Sequence, residues 1–505
     1  MTRTTILLLL CLATIPALAK PPGIYNIRDY GAKGDGATLE TAAIDKAIAA
    51  ASEAGGGTVF FPAGKYLSFT VHLKSNVSLY LDQGAILIGA EGAGYDAPEP
   101  NTAYDAYQDF GHNHWKNSLI WGEGLHDISI LGQGMIWGRG LIRDATGKTP
   151  PGIGNKTIAL KWCRNVTIQD ISILKAGHFG ILATGVDNLS IRNLKIDTDR
   201  DGMDIDCCKN VRVSDCYVNS PFDDGICLKS SFGLGLARST ENVTITGCQL
   251  SGYDVGTLLD GTFKRTIRKD HVDIPTGRIK LGTESNGGFK NIAISNCVFD
   301  YCHGLALETV DGAQLEDVAI TNITMRDVDI PLFIRLGERM RGPDTIAVGV
   351  CRRIAISNLV VYNADFPQSC IISGDAGHPI EGLHLSDIHL HFKGGGTKEM
   401  ATRVVPGFEK DYPEPGRFGI LPSYGFFIRH AKDVHLHDIE LSYATEDHRP
   451  PFYIEDVEGI DMHHIQVQKA TDAPCLVLKH VTDIGVERVQ HVKDVQIDRA
   501  DDRTL

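Results

Sequence analysis

At 505 residues, 43% hydrophobic and 22% charged, the chain has the material for a large core, which excludes a disordered polymer. Its formal net charge of −14 argues against non-specific nucleic-acid binding. Only 7% aromatics beside 54 glycines suit many short strands joined by tight turns, and the length exceeds one ordinary globular domain unless the chain is a repeat array.

Residues 1–19 read as a secretory signal peptide. Arg3 supplies the basic start, Leu7 to Leu12 the apolar stretch, and Ala17-Leu18-Ala19 the small-residue cleavage site. The apolar run is far shorter than the roughly 20 residues that span a bilayer. A secreted or periplasmic protein with no membrane partner is expected. Residues 20–95 form an N-terminal cap with the first strands. Within it, Thr38 to Ala54 carries Ile44, Ala47, Ile48 and Ala51 at helical spacing and stops at Gly55-Gly56-Gly57. Strands follow around Thr58 to Phe61 and Val77 to Leu81.

A strand phrase then recurs through residues 96–490. It opens at Asn165, Asn188, Asn210, Asn242, Asn291, Asp317, Arg353, Gly382, Asp433 and Gly459, and each copy alternates apolar with polar residues. Most intervals are 22 to 36 residues; those of 49 and 51 imply two turns or one turn with a long insertion. This is the signature of a solenoid, and the leucine framework of leucine-rich repeats is missing. The expected fold is all-β, a right-handed parallel β-helix with an N-terminal helical cap. Residues 393–423 interrupt the repeat as a long loop, and 491–505 form a C-terminal tail. Of 12 cysteines, Cys11 leaves with the leader, so at least one of the remaining eleven is unpaired. Cys216, Cys248 and Cys297 occupy equivalent repeat positions, as stacked buried thiols would.

Aligned turns gather carboxylates. Asp201-Gly202-Met203-Asp204-Ile205-Asp206 precedes Asp224-Gly225-Ile226-Cys227-Leu228-Lys229, and a later turn reads His303-Gly304-Leu305-Ala306-Leu307-Glu308. With the apolar pairs turned inward and turns about 4.8 Å apart, Asp201 should lie beside Asp224 with Asp223 adjacent. Asp204, Asp206 and Lys229 should line the same outer face, and Arg278 and Lys280 should add two cations. Crowded carboxylates drive their pKa values apart, as an acid and a base require. Separations of about 6.5 to 9.5 Å would admit a water and give inversion. Two other readings stay open: Asp-Gly pairs as plain turns, and a calcium site, which the interleaved cations disfavour.

On these residues the chain resembles glycoside hydrolase family 28, the polygalacturonase and rhamnogalacturonan hydrolase family. Tyr25-Asn26-Ile27-Arg28-Asp29-Tyr30-Gly31-Ala32 is similar to the opening phrase of pectin-active β-helix proteins. Asp199-Arg200-Asp201-Gly202-Met203-Asp204 resembles the family's Asn-Thr-Asp-Gly-apolar-Asp motif, and Asp223-Asp224-Gly225-Ile226-Cys227-Leu228-Lys229-Ser230 its paired-aspartate motif. The resemblance implies hydrolysis of a pectic polysaccharide by single displacement, with no cofactor or metal. It implies Asp223 as general acid, with Asp201 and Asp224 activating water.

Two departures stand out. The family's Gly-His-Gly falls near Pro275-Thr276-Gly277, without its histidine, and its Arg-Ile-Lys becomes Ala306-Leu307-Glu308. The segments Gly282 to Gly288, Tyr412 to Pro415 and Tyr424 to His430 are similar to a bacterial branch associated with complex pectins. That similarity favours rhamnogalacturonan-type linkages over homogalacturonan. Substrate-binding candidates are Lys229, Arg278, Lys280, Glu284, His303, Glu308 and Arg335. Arg339 and Arg341 are further cations, and His178 and Phe179 border the groove or pack inside. A pectate-type lyase and a non-catalytic sugar-binding β-helix are the rival classes. The oligomeric state is not legible.

Overall fold

The computed structural model describes residues 23–100, 105–108, 111–143, 149–266, 275–344, 346–365 and 369–505. The expected leader lies outside the described residues. Among those described, no helix is long and apolar enough to cross a membrane.

The chain winds as a parallel β-helix. One coil is made by Met203–Asp206, Lys209–Ser214 and Tyr217–Asn219, and the next by Ile226–Ser230, Thr240–Thr246 and Gln249–Ser251. Each strand pairs in parallel with its counterpart one coil away. Inward residues stack in columns: Ile181 on Met203, Met203 on Ile226, Ile226 on Ile279, and Leu305 on Leu332. All are essentially inaccessible, and burying each such side chain contributes about 1.5–3 kcal/mol. The two long intervals are single coils with insertions, because Val243 pairs directly with Ile292 and Leu383 directly with Val434.

The recurrent phrase does more than alternate. Its first residue takes a left-handed conformation in coil after coil, with φ near 55° at Asn165, Asn188, Asn210, Asn242 and Asn291. Asparagine tolerates that region better than other side-chain-bearing residues. The turns also pass a hydrogen-bond ladder upward: the Asn188, Asn210, Asn242 and Asn291 amides donate to Asn165, Asn188, Asn210 and Asn242 at 2.7–3.2 Å. The bend and the ladder together hold consecutive coils in register.

Both ends are closed. The helix Thr41–Glu53 buries Ile44, Ala47, Ile48 and Ala51 against the first coils. At the far end the expected tail is a strand, Val495–Thr504, antiparallel to Leu476–Val489, with Ile497 and Ala500 buried. All eleven cysteines of the described residues are unpaired and buried, Cys216, Cys248 and Cys297 among them.

Replacing Asn210 tests the ladder. Asn210→Ala should cost about 1–2 kcal/mol through the left-handed backbone, together with its two ladder bonds. Asn210→Gly keeps the bend and should be the less destabilised of the two in thermal unfolding. Equal midpoints for both variants would contradict a conformational role.

Candidate active site

The aspartates sit where chain enters the strands Met203–Asp206 and Ile226–Ser230. The Gly202 amide donates to the Asp224 carbonyl at 3.0 Å and the Gly225 amide to the Arg278 carbonyl at 2.9 Å, which sets Asp201 beside Asp224. A β-carbon at Gly202 would meet the Gly225 carbonyl at 2.5 Å, so only glycine permits this approach. One carboxylate oxygen from each of Asp201, Asp223 and Asp224 lies within 4.8 Å of the others. That is tighter than the 6.5–9.5 Å expected from sequence, so the spacing by itself does not prescribe inversion.

The outer face is not the open surface expected for Asp204 and Asp206. Both are fully buried. His112 Nε2 bonds Asp204 Oδ2 at 2.8 Å, and Asp206 accepts from the Ser231 amide at 2.7 Å and hydroxyl at 2.6 Å. A roof of Trp115, Ala159, Phe179 and Leu182 packs over the neighbouring strands. Asp201 and Asp224 are 3% and 2% exposed, whereas the Asp223 side chain keeps 25%. Asp223 is therefore the member of the trio most open to solvent.

Opposite charges divide the trio. Burial, reinforced by Asp204 and Asp223, pushes the Asp201 carboxyl well above its ordinary range against the opposing pull of Arg200 and Lys229. Burial would raise Asp224 as well, but Lys280, Arg278 and Lys229 outweigh it and hold this carboxyl low. Arg278 Nε donates to Asp224 Oδ1 at 2.8 Å, and Lys280 Nζ lies 3.4 Å from Oδ2. Arg200 forms a close ion pair with Asp223, lies 3.6 Å from Asp201, and has its guanidinium against the His178 ring at 3.0 Å. Two carboxyls of one cluster thus favour different protonation states.

The other sequence candidates distribute unevenly. Lys229 pairs with Glu284 at 3.1 Å, and Arg341 reaches the same carboxylate at 3.4 Å. Glu308 stands 3.6 Å from Lys280, and burial lifts its pKa to about 7 despite Lys280 and Arg278. Its two buried oxygens have no hydrogen-bond partner. His303 bonds Asp329 at 2.6 Å, two coils along the column of Asp201 and Asp224. Arg339 bonds Asp311 at 3.0 Å. Arg335, like Glu308 and Glu284, is buried, at 1% exposure; it donates to the Ser373 hydroxyl at 2.6 Å, to the Gly374 carbonyl at 3.1 Å, and to the Gly407 carbonyl of the long insertion at 3.0 Å. His178 and Phe179 are buried.

Four residues near the site were not among the candidates drawn from sequence. Arg200 stood inside a quoted motif, where threonine is usual, and was passed over. His112 comes from a stretch with no repeat signal. Tyr412 and Glu414 arrive on the long insertion: Thr283 donates to the Tyr412 hydroxyl at 2.9 Å, Lys280 lies over the Tyr412 ring, and Glu414 stands 3.8 Å from Arg278. A hollow of about 590 Å³ lies elsewhere, against the asparagine ladder, and none of the three aspartates lines it.

Comparison with known proteins agrees with this site. Residues 94–257 match glycosyl hydrolases family 28, and residues 24–95 match "Rhamnogalacturonase A/epimerase, pectate lyase-like". Over the first of these stretches the chain is similar to glycosyl hydrolase family 28. It is a glycoside hydrolase of the kind that pattern describes. A probable polygalacturonase of Vitis vinifera is 23% identical over 72% of this chain and 74% of its own length. An exo-poly-alpha-D-galacturonosidase of Dickeya chrysanthemi is 28% identical over 61% of this chain, which spans only 52% of that enzyme. The solved structure of a family 28 exopolygalacturonase from Yersinia enterocolitica shares the fold, with TM-score 0.63 and 19% identity over 90% of this chain and 79% of that one.

In this hydrolase, Arg200 is the charge that offsets the crowding of Asp201 and Asp223. Arg200→Gln should raise the apparent pKa of the carboxyl cluster by about one unit or more. A proton donor then stays loaded to higher pH, so the alkaline limb of the pH–rate profile should move upward. An unmoved limb would contradict the pairing.

Proposed function

We propose that the enzyme hydrolyses pectic polysaccharide at galacturonate–rhamnose linkages of the rhamnogalacturonan type, by acid/base single displacement. The observation that carries the reading is the division of the aspartate trio: Asp201 driven toward its protonated form, Asp224 held ionised by Arg278 and Lys280, and Asp223 the most exposed of the three. Asp223 delivers the proton to the leaving glycosidic oxygen. Asp224 takes a proton from water, and Asp201 beside it keeps its own and orients that water. A uronate carboxylate entering beside Asp223 competes with it for Arg200. Water held between two carboxylates of one column supports attack from the far side of the sugar, hence inversion.

The linkage preference rests on charge. At the family's Arg-Ile-Lys position this chain offers Ala306 and Glu308, and Lys280 and Arg278 from the preceding coil are already engaged by Asp224 and Glu308. That region suits a neutral sugar better than a second uronate. The match of residues 24–95 to a rhamnogalacturonase pattern is consistent with it. A second reading, exo-cleavage of homogalacturonan, is favoured by the names of the Dickeya and Yersinia relatives. We further propose that the protein is exported, as its first 19 residues suggest.

Product analysis on defined pectic oligosaccharides separates these readings. Wild type should release products with inverted anomeric configuration and prefer alternating galacturonate–rhamnose chains. Asp223→Asn should lower kcat by at least about 100-fold with little change in KM. Retained configuration would overturn the single displacement, exclusive release of galacturonate monomers would favour the second reading, and an unsaturated product would mark a lyase.

A further inference from the structure

A second cluster lies on the sheet that carries the asparagine ladder, not on the one that carries the aspartates. Two outward columns of that sheet run through successive coils. One holds Thr244, Ala293, Ala319 and Ala355, and the other Thr246, Ser295, Thr321, Ser357 and Ser386. Over the last coils both change character. The first continues as His384, His435 and Asp461, and the second as His437, His463 and Glu487.

His435 and His437 alternate with the buried Val434 and Leu436, so both imidazoles leave the same face of one strand. Asp461 answers from the next coil, with Oδ2 2.8 Å from His437 Nε2 and 3.8 Å from His435 Nδ1. One donor atom from each of the three lies within 4.8 Å of the other two. The His384 ring stacks on His435 at 4.4 Å, and the His463 ring lies 5.8 Å from His437. The three side chains are 38%, 39% and 49% exposed, which leaves one side of the cluster open to water.

We propose that His435, His437 and Asp461 form a transition-metal site, with Zn²⁺ the ion whose chemistry fits best. Two neutral imidazole nitrogens and one carboxylate oxygen make a three-ligand set that a water completes to a tetrahedron. Hard cations such as Ca²⁺ instead require six to eight oxygens, which this face does not gather. The two strands concerned are neighbours near the C-terminal end of the solenoid, so the metal cross-links consecutive coils there. The site supplies no group to the aspartate trio. It also adds a metal to a chain whose sequence implied none.

Calorimetric titration of the untagged full-length protein with ZnCl₂ tests the site, paired with the visible spectrum of the Co²⁺ form. The expected result is saturable uptake of one equivalent and the absorption bands of tetrahedral Co²⁺. Each of His435→Gln and His437→Gln should lower the affinity at least about tenfold, and the double variant should abolish the bands. Both side chains are half-exposed, so the variants keep the core, which circular dichroism verifies, and hydrolysis should proceed at the wild-type rate. Asp201→Asn should leave metal uptake intact. No saturable uptake, uptake unchanged in the double variant, or uptake lost in Asp201→Asn would each overturn the proposal.

Discussion

Backbone hydrogen bonds between consecutive coils, such as Gly202 to Asp224 and Gly225 to Arg278, fix which outward side chains face one another. Everything chemical in this molecule follows from that spacing. Residues more than 20 positions apart in sequence are held about one strand separation apart, closer than carboxylates in water would remain. The solenoid core supplies the free energy that keeps them there, since inward columns of Ile, Leu, Val and Met run unbroken past the site. The same geometry that stacks apolar groups inside therefore compresses charges outside.

Compression has to be compensated, and the chain does so with cations placed on neighbouring coils. Arg278 and Lys280 neutralise Asp224, Lys229 faces Glu284, and Arg200 faces Asp223. Asp201 shares Arg200, at 3.6 Å, with Asp223 and is the carboxyl pushed up, chiefly by burial. The asymmetry is what makes the cluster useful, because equal compensation would leave three equivalent carboxylates. His112, from outside the repeat, closes over the buried Asp204 beside the trio.

The periodic parts of the fold were legible. Ile44, Ala47, Ile48 and Ala51 announced the cap helix, the recurring phrase announced the coils, and the inward pairs Met203/Ile205 and Ile226/Leu228 fixed the register that joins Asp201 to Asp224. What failed to show was whatever breaks the period. His112 reaches Asp204 from 92 residues away, and Tyr412 meets Lys280 across 132; spacing in sequence carries no trace of either. The strand Val495–Thr504 runs against the parallel grain, so it read as a tail. Arg335 stood out in the sequence as an outward charge, but its bond to the Gly407 carbonyl of the insertion left no trace there. Outward position also proved a poor guide to solvent, as Asp204 and Asp206 show.

Central to the account is an unequal distribution of protons among stacked carboxyls, which neutron diffraction of the deuterated, substrate-free enzyme near neutral pH would image directly. Deuterium density on an Asp201 oxygen and none on Asp224 is the predicted result. A bare Asp201, or deuterium on Asp224 between Arg278 and Lys280, would contradict it.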